Sequence, residues 1–253
     1  MYKKYINIGQ HYFEIQSHSS HLINLFMEQF SGVNHVPEYY ADMVLFIHGG
    51  YETPLANRDA GICLEESQSV IRQNGFVIDI KEHYTSAHLY AYNRKALITA
   101  FYILYSLFIV HCGWGIMIRC GYTVEGGNAH LLSGELENIN CTSGSITDFE
   151  TGAVSIEISS KGAKVYTSPT QTSGLVAAMP LGSIKIFRPS LRDGYKIPGK
   201  TYALLQLLDL VPCLPANEAD LRVMIKLLER LVAAVPIYQC SVNNNGIVRK
   251  LIS

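Results

Sequence analysis

Gly126-Gly127-Asn128-Ala129-His130-Leu131-Leu132-Ser133-Gly134 reads as a glycine turn, a strand and the start of a loop. In a nucleotide-binding protein such a strand runs into a glycine-rich loop ending in Lys-Ser or Lys-Thr. This chain continues Glu135-Leu136-Glu137-Asn138-Ile139-Asn140-Cys141-Thr142. The strand and turn fit a mixed α/β fold. The loop lacks the charges that phosphate chemistry needs.

Upstream, Ala96 to Ile118 holds no Asp, Glu, Lys or Arg. The run is long enough to cross a bilayer. Gly113 and Gly115 interrupt it, however, and the rest of the chain reads as soluble α/β material. The expectation is a buried helix over 94–110 and a core strand over Gly115 to Arg119, with no membrane span.

Further toward the N-terminus, Tyr5-Ile6-Asn7-Ile8 and Tyr12-Phe13-Glu14-Ile15 alternate around Gly9-Gln10, a hairpin pattern. Leu22 to Phe30 suits a short helix. Met43 to Ile47 is a compact apolar run of the kind that forms a buried strand. Phe76 to Ile80 follows the turn pair Asn74-Gly75, and Leu89 to Tyr92 suits another strand. These pieces predict a β-rich region over 1–93 and a core over 94–253, together forming one compact unit.

Downstream, Val154 to Ile158 alternates, Lys161-Gly162 turns into Lys164-Val165-Tyr166, and Ile184 to Phe187 suits a strand. Tyr202 to Leu210 reads as a short apolar helix. Asn217 can cap a longer one, with Asp220 three residues on as its capping acid. Leu221, Ile225, Leu228 and Val232 fall on one stripe of that helix. Pro236 ends it. Ile237 to Val242 closes as a strand, and Asn243 to Gly246 turns into Ile247 to Leu251.

With 20 Lys and Arg against 21 Asp and Glu, the formal charge is -1. No basic stripe points to nucleic acid. The six cysteines (Cys63, Cys112, Cys120, Cys141, Cys213, Cys240) form no CxxC pair, and no signal peptide is expected. Reduced thiols in a cytoplasmic protein are the expectation.

The order of pieces, with a helix into His111, a strand, a glycine turn, the Ala129–Leu132 strand, the altered loop, Tyr166-Thr167-Ser168-Pro169 and a final helix into Pro236-Ile237-Tyr238, resembles the HPr kinase/phosphorylase-like family. That family shares a phosphoenolpyruvate carboxykinase-like core. The likeness is greatest to its small members from ribosomal-peptide gene clusters, including lasso-peptide kinases. It spans nearly the whole chain as an arrangement, and residues 108–134 carry it locally. It implies an α/β (mixed) fold, with an HPr kinase C-terminal-domain core, a β-rich N-terminal part and C-terminal helices.

The resemblance matches His111 to the first His of the core motif and Ser133-Gly134 to the start of the phosphate loop. The loop's later Gly, Lys and Ser/Thr fall on Ile139, Asn140 and Cys141, with Thr142 next. Ile139 is branched at Cβ and resists the loop's dihedrals. Asn140 brings no charge, and the Cys141 thiol is a poor ligand for Mg²⁺. Glu135 and Glu137 add like charge where phosphates would sit. The family's aspartate pair falls on Ile156-Glu157, with Asp148 and Glu150 as earlier carboxylates.

Other residues have bland and functional readings. His111 is a core histidine bonded to backbone, or a relic of the family's site. His18-Ser19-Ser20-His21 is a surface turn, or half of a metal site that lacks further ligands. Cys141 is an inert thiol, or a nucleophile that nothing nearby in sequence activates. Ser143-Gly144-Ser145 is a loop, or an anion nest. The 16 tyrosines include the Tyr39-Tyr40 and Tyr90/Tyr92 clusters, which could form a docking surface.

The expected function is that of a catalytically inactive HPr kinase-like protein that binds a protein or peptide, in peptide maturation and as part of a homo- or hetero-oligomer. No cofactor, metal or nucleic acid is expected. The alternative is an atypical ATP-dependent kinase, phosphorylating a serine or peptide, with His111, Asp148 or Glu157 as catalytic groups and Lys161, Lys164 or Arg119 holding phosphate.

Overall fold

The computed structural model describes residues 1–30, 41–49, 61–65, 68–73, 75–134, 153–166, 178–190 and 192–242. It is a mixed α/β structure of two compact units. One comprises Met1–Cys112 with Cys213–Leu221 and Pro169–Val176. The other comprises Gly113–Ser168, Ala177–Pro212 and Arg222–Ser253. The expected line at 93/94 falls inside the first unit, whose core includes the helix that follows it.

The first unit holds β1 (Tyr2–Ile8), β2 (His11–Ser17), α1 (Ser20–Met27), a 3₁₀ turn at Glu28–Phe30, β3 (Met43–His48), β4 (Gly61–Glu65), β5 (Gln68–Gln73), β6 (Phe76–Lys81), a 3₁₀ turn at Glu82–Tyr84, β7 (Ser86–Ala91) and α2 (Arg94–His111). The sheet order is β1-β2-β3-β7-β6-β5-β4. The β1–β2 hairpin forms as expected, and β3 lies parallel to both β2 and β7. Strict alternation assigns one face to the core: Met43, Leu45 and Ile47 of β3 are buried, and so are Ala87, Leu89 and Ala91 of β7.

Helix α2 supplies the rest of that core. Asn93 caps it, accepting from the Ala96 N–H at 2.9 Å. Phe101, Tyr105 and Phe108 meet Phe13 edge-on, and the Tyr105 hydroxyl donates to the Ile8 carbonyl at 3.2 Å. Burying a ring such as Phe13 stabilises by about 1.5–3 kcal/mol. Among the described residues α2 is the helix long and apolar enough to cross a membrane, and 67% of that stretch is buried within the protein.

The second unit holds β8 (Gly115–Arg119), β9 (Gly121–Glu125), β10 (Asn128–Gly134), β11 (Ala153–Ser159), β12 (Gly162–Tyr166), β13 (Met179–Pro189), β14 (Gly194–Lys196), α3 (Lys200–Leu208), α4 (Glu218–Ala234, its first turn in the first unit) and β15 (Ile237–Val242). The sheet runs β14-β15-β13-β12-β11-β8, with β10 parallel to β13 and β9 antiparallel to β10. Gly126 and Gly127 both have positive φ, 56° and 81°, which a two-residue type I′ hairpin requires. Strands β10, β13 and β15 run parallel, so Gly134, Phe187 and Cys240 share a row near their carboxyl ends.

Two expectations about α4 meet different outcomes. Its cap forms as expected, with the Asp220 N–H donating to Asn217 Oδ1 at 2.7 Å. The buried stripe is displaced. Met224, Leu227, Leu228 and Leu231 are buried, whereas Leu221, Ile225 and Val232 are half-buried. Both stripes satisfy helical spacing. The choice falls to the one that continues from buried Asp220, a polar residue that a purely apolar pattern passes over.

Candidate functional site

The expected phosphate-loop residues Ile139, Asn140, Cys141 and Thr142, and the candidate acid Asp148, lie outside the described residues. So do Glu135, Glu137, Glu150, Ser143-Gly144-Ser145, Tyr39 and Tyr40. What is described is the strand that delivers the loop. Gly134 ends β10 with φ of +112°, a conformation open chiefly to glycine. A Cβ there would collide with the carbonyl of Phe187, its partner on β13. Close strand approach therefore suffices to require this glycine, whether or not phosphate binds beyond it.

Glu157 sits on β11, opposite Lys164 on β12. Its Oε2 accepts from the Tyr166 hydroxyl at 2.8 Å, and the Tyr166 ring leans on Trp114 with centroids 5.2 Å apart. This carboxylate is engaged in holding the β11–β12 hairpin. Arg119 turns its guanidinium to the Asp209 carbonyl at 3.1 Å, while its own carbonyl accepts from the Ser133 hydroxyl. Lys161 lies in the hairpin turn between β11 and β12, exposed.

His111 departs from the expectation of a core histidine bonded to backbone. It ends α2, with its side chain 30% exposed, and Nδ1 lies 3.0 Å from Oδ1 of Asp220, which is 7% exposed. An ionised carboxylate can only accept, so Nδ1 donates to Asp220. Asp220 Oδ2 accepts in turn from Asn217 Nδ2 at 2.7 Å. The pairing joins the last turn of α2 to the first turn of α4, where the aspartate carboxylate suits the helix dipole.

Tyr84 packs its ring on His111, with centroids 4.6 Å apart. His83 and Tyr84 both have positive φ, 56° and 54°, a cost of order 1–3 kcal/mol per residue for side chains of this size. Burial raises the Tyr84 hydroxyl's pKa, with the Asp220 carboxylate and the Cys213 and Cys112 thiols adding to it. The Cys112 thiol is pushed up to about 11 by burial and by the Asp42 and Asp220 carboxylates, and burial raises Cys213 as well. Neither sulfur is a ready thiolate at neutral pH. The cluster has an oriented histidine without an activated nucleophile. Among the described residues, no group of three His, Cys, Asp or Glu side chains could hold a metal.

Sequence reasoning found His111 and Asp220 separately and missed their pairing, together with Tyr84. The Asn217/Asp220 spacing was visible as a cap. Nothing local connects it to a residue 109 positions away. The His18–His21 stretch runs from the end of β2 into the first residues of α1, where the Ser19 hydroxyl caps the helix by accepting from Leu22 N–H at 3.3 Å. No family model matches the chain, and no curated protein matches it either.

Proposed function

We propose that this chain is a non-catalytic, HPr kinase-like binding protein of the cytoplasm, whose partner is a protein or a peptide undergoing maturation, and which works within a homo- or hetero-oligomer. The observation that carries the reading is the sequence after Gly134. A strand ends on a glycine, in a parallel β10–β13–β15 set, where α/β proteins bind ligands beyond the carboxyl ends of their strands. Two glutamates follow, with Ile139, Asn140 and Cys141 in the places of glycine, lysine and hydroxyl.

Phosphoryl transfer depends on positioned cations and metal. Of the described candidates, Arg119 is engaged with Asp209, Glu157 with Tyr166 and His111 with Asp220, while Lys161 and Lys164 are exposed on the β11–β12 hairpin. Calorimetry of ATP, with and without Mg²⁺, tests the reading. No heat at millimolar nucleotide is the expected result. Micromolar binding would overturn it and restore the atypical kinase, with a phosphoryl-acceptor screen as the next step.

A further inference from the structure

Helix α3 buries Ala203, Leu207 and one polar residue, Gln206, and leaves larger apolar side chains outward. Its sequence, Lys200-Thr201-Tyr202-Ala203-Leu204-Leu205-Gln206-Leu207-Leu208, offers six apolar positions for burial. Yet Leu205 is 54% exposed and Tyr202 42%, Leu204 and Leu208 are only half-buried, and Gln206 is 4% exposed. Among the described residues, neither the amide oxygen nor the amide nitrogen of Gln206 has a hydrogen-bond partner. A helix selected only for packing would place leucine inward and glutamine outward. Tyr202 and Leu205 are three residues apart, so they share a face.

The chain segment leading into that helix is basic. Residues 188–200 contain Arg188, Arg192, Lys196 and Lys200 against Asp193 alone, in a chain of net charge -1. All four cations are exposed. The Arg188 guanidinium lies 5.9 Å from the centroid of the Tyr202 ring, a pairing that joins charge and aromatic surface. Just before the helix, Tyr195 of the edge strand β14 and Ile197, the residue after that strand, are exposed as well. That strand has three residues, one of them lysine, and Pro198 follows it closely. Short, charged edges resist strand addition, so recognition here falls to side chains.

We propose that the outer face of α3, with the β14 segment before it, docks an acidic partner segment that carries apolar side chains. Apolar residues of the partner cover Tyr202 and Leu205, and its carboxylates meet the four cations. Tyrosine and arginine are residues that concentrate binding energy in interfaces. A second copy of this chain is disfavoured, because a two-fold contact would set this basic face against itself. The inference rests on the binding-protein reading and names the surface and the chemistry of the partner.

The test uses a fluorescently labelled synthetic peptide of glutamate and leucine, with a lysine–leucine peptide of the same pattern as control. Fluorescence anisotropy on the full chain should show binding of the acidic peptide that weakens as salt is added. Leu205→Glu and Tyr202→Glu should each reduce affinity by about tenfold or more, with unchanged circular dichroism because both side chains are exposed. Equal affinity for wild type and L205E would overturn the placement while leaving a binding role intact elsewhere. Preference for the basic peptide, or no binding of the acidic one, would overturn the partner chemistry. A dimer seen by light scattering and dissolved by L205E would assign the face to a second copy instead. Nucleotide binding by calorimetry would sink the non-catalytic reading without altering any of these peptide results.

Discussion

His111 Nδ1 and Asp220 Oδ1 lie 3.0 Å apart and tie the last turn of α2 to the first turn of α4 across 109 residues of chain. The contact is geometrically like a catalytic dyad. Its surroundings make it a clasp. The carboxylate is shared with Asn217, which also caps α4, so helix start and clasp are one hydrogen-bonded unit.

Asp220→Ala should therefore cost about 1–3 kcal/mol, since it strips the acceptor from His111 and from the Asn217 amide. Asn217→Ala should cost about 1 kcal/mol through the cap. In a double-mutant cycle by urea unfolding, H111A and D220A should couple by about 0.5–3 kcal/mol. Strict additivity would show that the pair contributes nothing as a pair.

Gly134→Ala is expected to destabilise by at least about 1–3 kcal/mol, from a left-handed φ and a Cβ thrust at the Phe187 carbonyl. Thermal unfolding reads this directly. An unchanged melting temperature would mean that the strand end is loose, and would return Gly134 to the class of residues kept for phosphate.

Much of the fold was legible because its periodicities are local. The β1–β2 hairpin, β3, β6, the Gly126-Gly127 turn and the cap of α4 each announce themselves within a few residues. Strands β4, β5, β9 and β14 did not. Gly61–Glu65 and Gln68–Gln73 alternate weakly, and Gly194–Lys196 is too short to carry a period. The stripe on α4 was misassigned because Asp220 is buried for His111, a partner that no window of sequence contains. The left-handed His83-Tyr84 pair was invisible for a related reason. Nothing in either side chain asks for positive φ, and the ring contact with His111 that accompanies it is tertiary.

The pH dependence of stability should come in part from β3 and β7. His48 Nε2 and His88 Nδ1 are 3.0 Å apart, with rings stacked between Phe46 and Tyr90. Burial lowers both pKa values. His88 and His18 lower His48 further, while at His88 the Asp79 carboxylate opposes the shift and Lys81 adds to it. Unfolded histidines take up protons near about pH 6.5. The folded pair resists, so the unfolded state binds more protons as pH falls through that value, and stability is lost. The loss levels off once the folded rings are protonated. His11, lowered mainly by burial, acts in the same direction. Urea midpoints should fall from neutral to mildly acidic pH, and H48Q should flatten the trend. NMR titration should place both imidazoles below the ordinary histidine range; normal titration would contradict this account.

Gln206 provides a separate check on the frustration in α3. Its side chain is buried, and among the described residues neither amide atom has a partner. A buried polar group left unsatisfied costs about 1–3 kcal/mol, and an apolar replacement of similar size removes that penalty. Gln206→Leu should therefore raise the urea midpoint, by about 1 kcal/mol in unfolding free energy, an uncommon direction for a core substitution. Leu205→Ala, at an exposed position, should change stability by no more than about 0.5 kcal/mol. If Q206L proves destabilising, the inward glutamine is not a source of frustration in α3, and the exposed Tyr202 and Leu205 lose their strongest claim to a function.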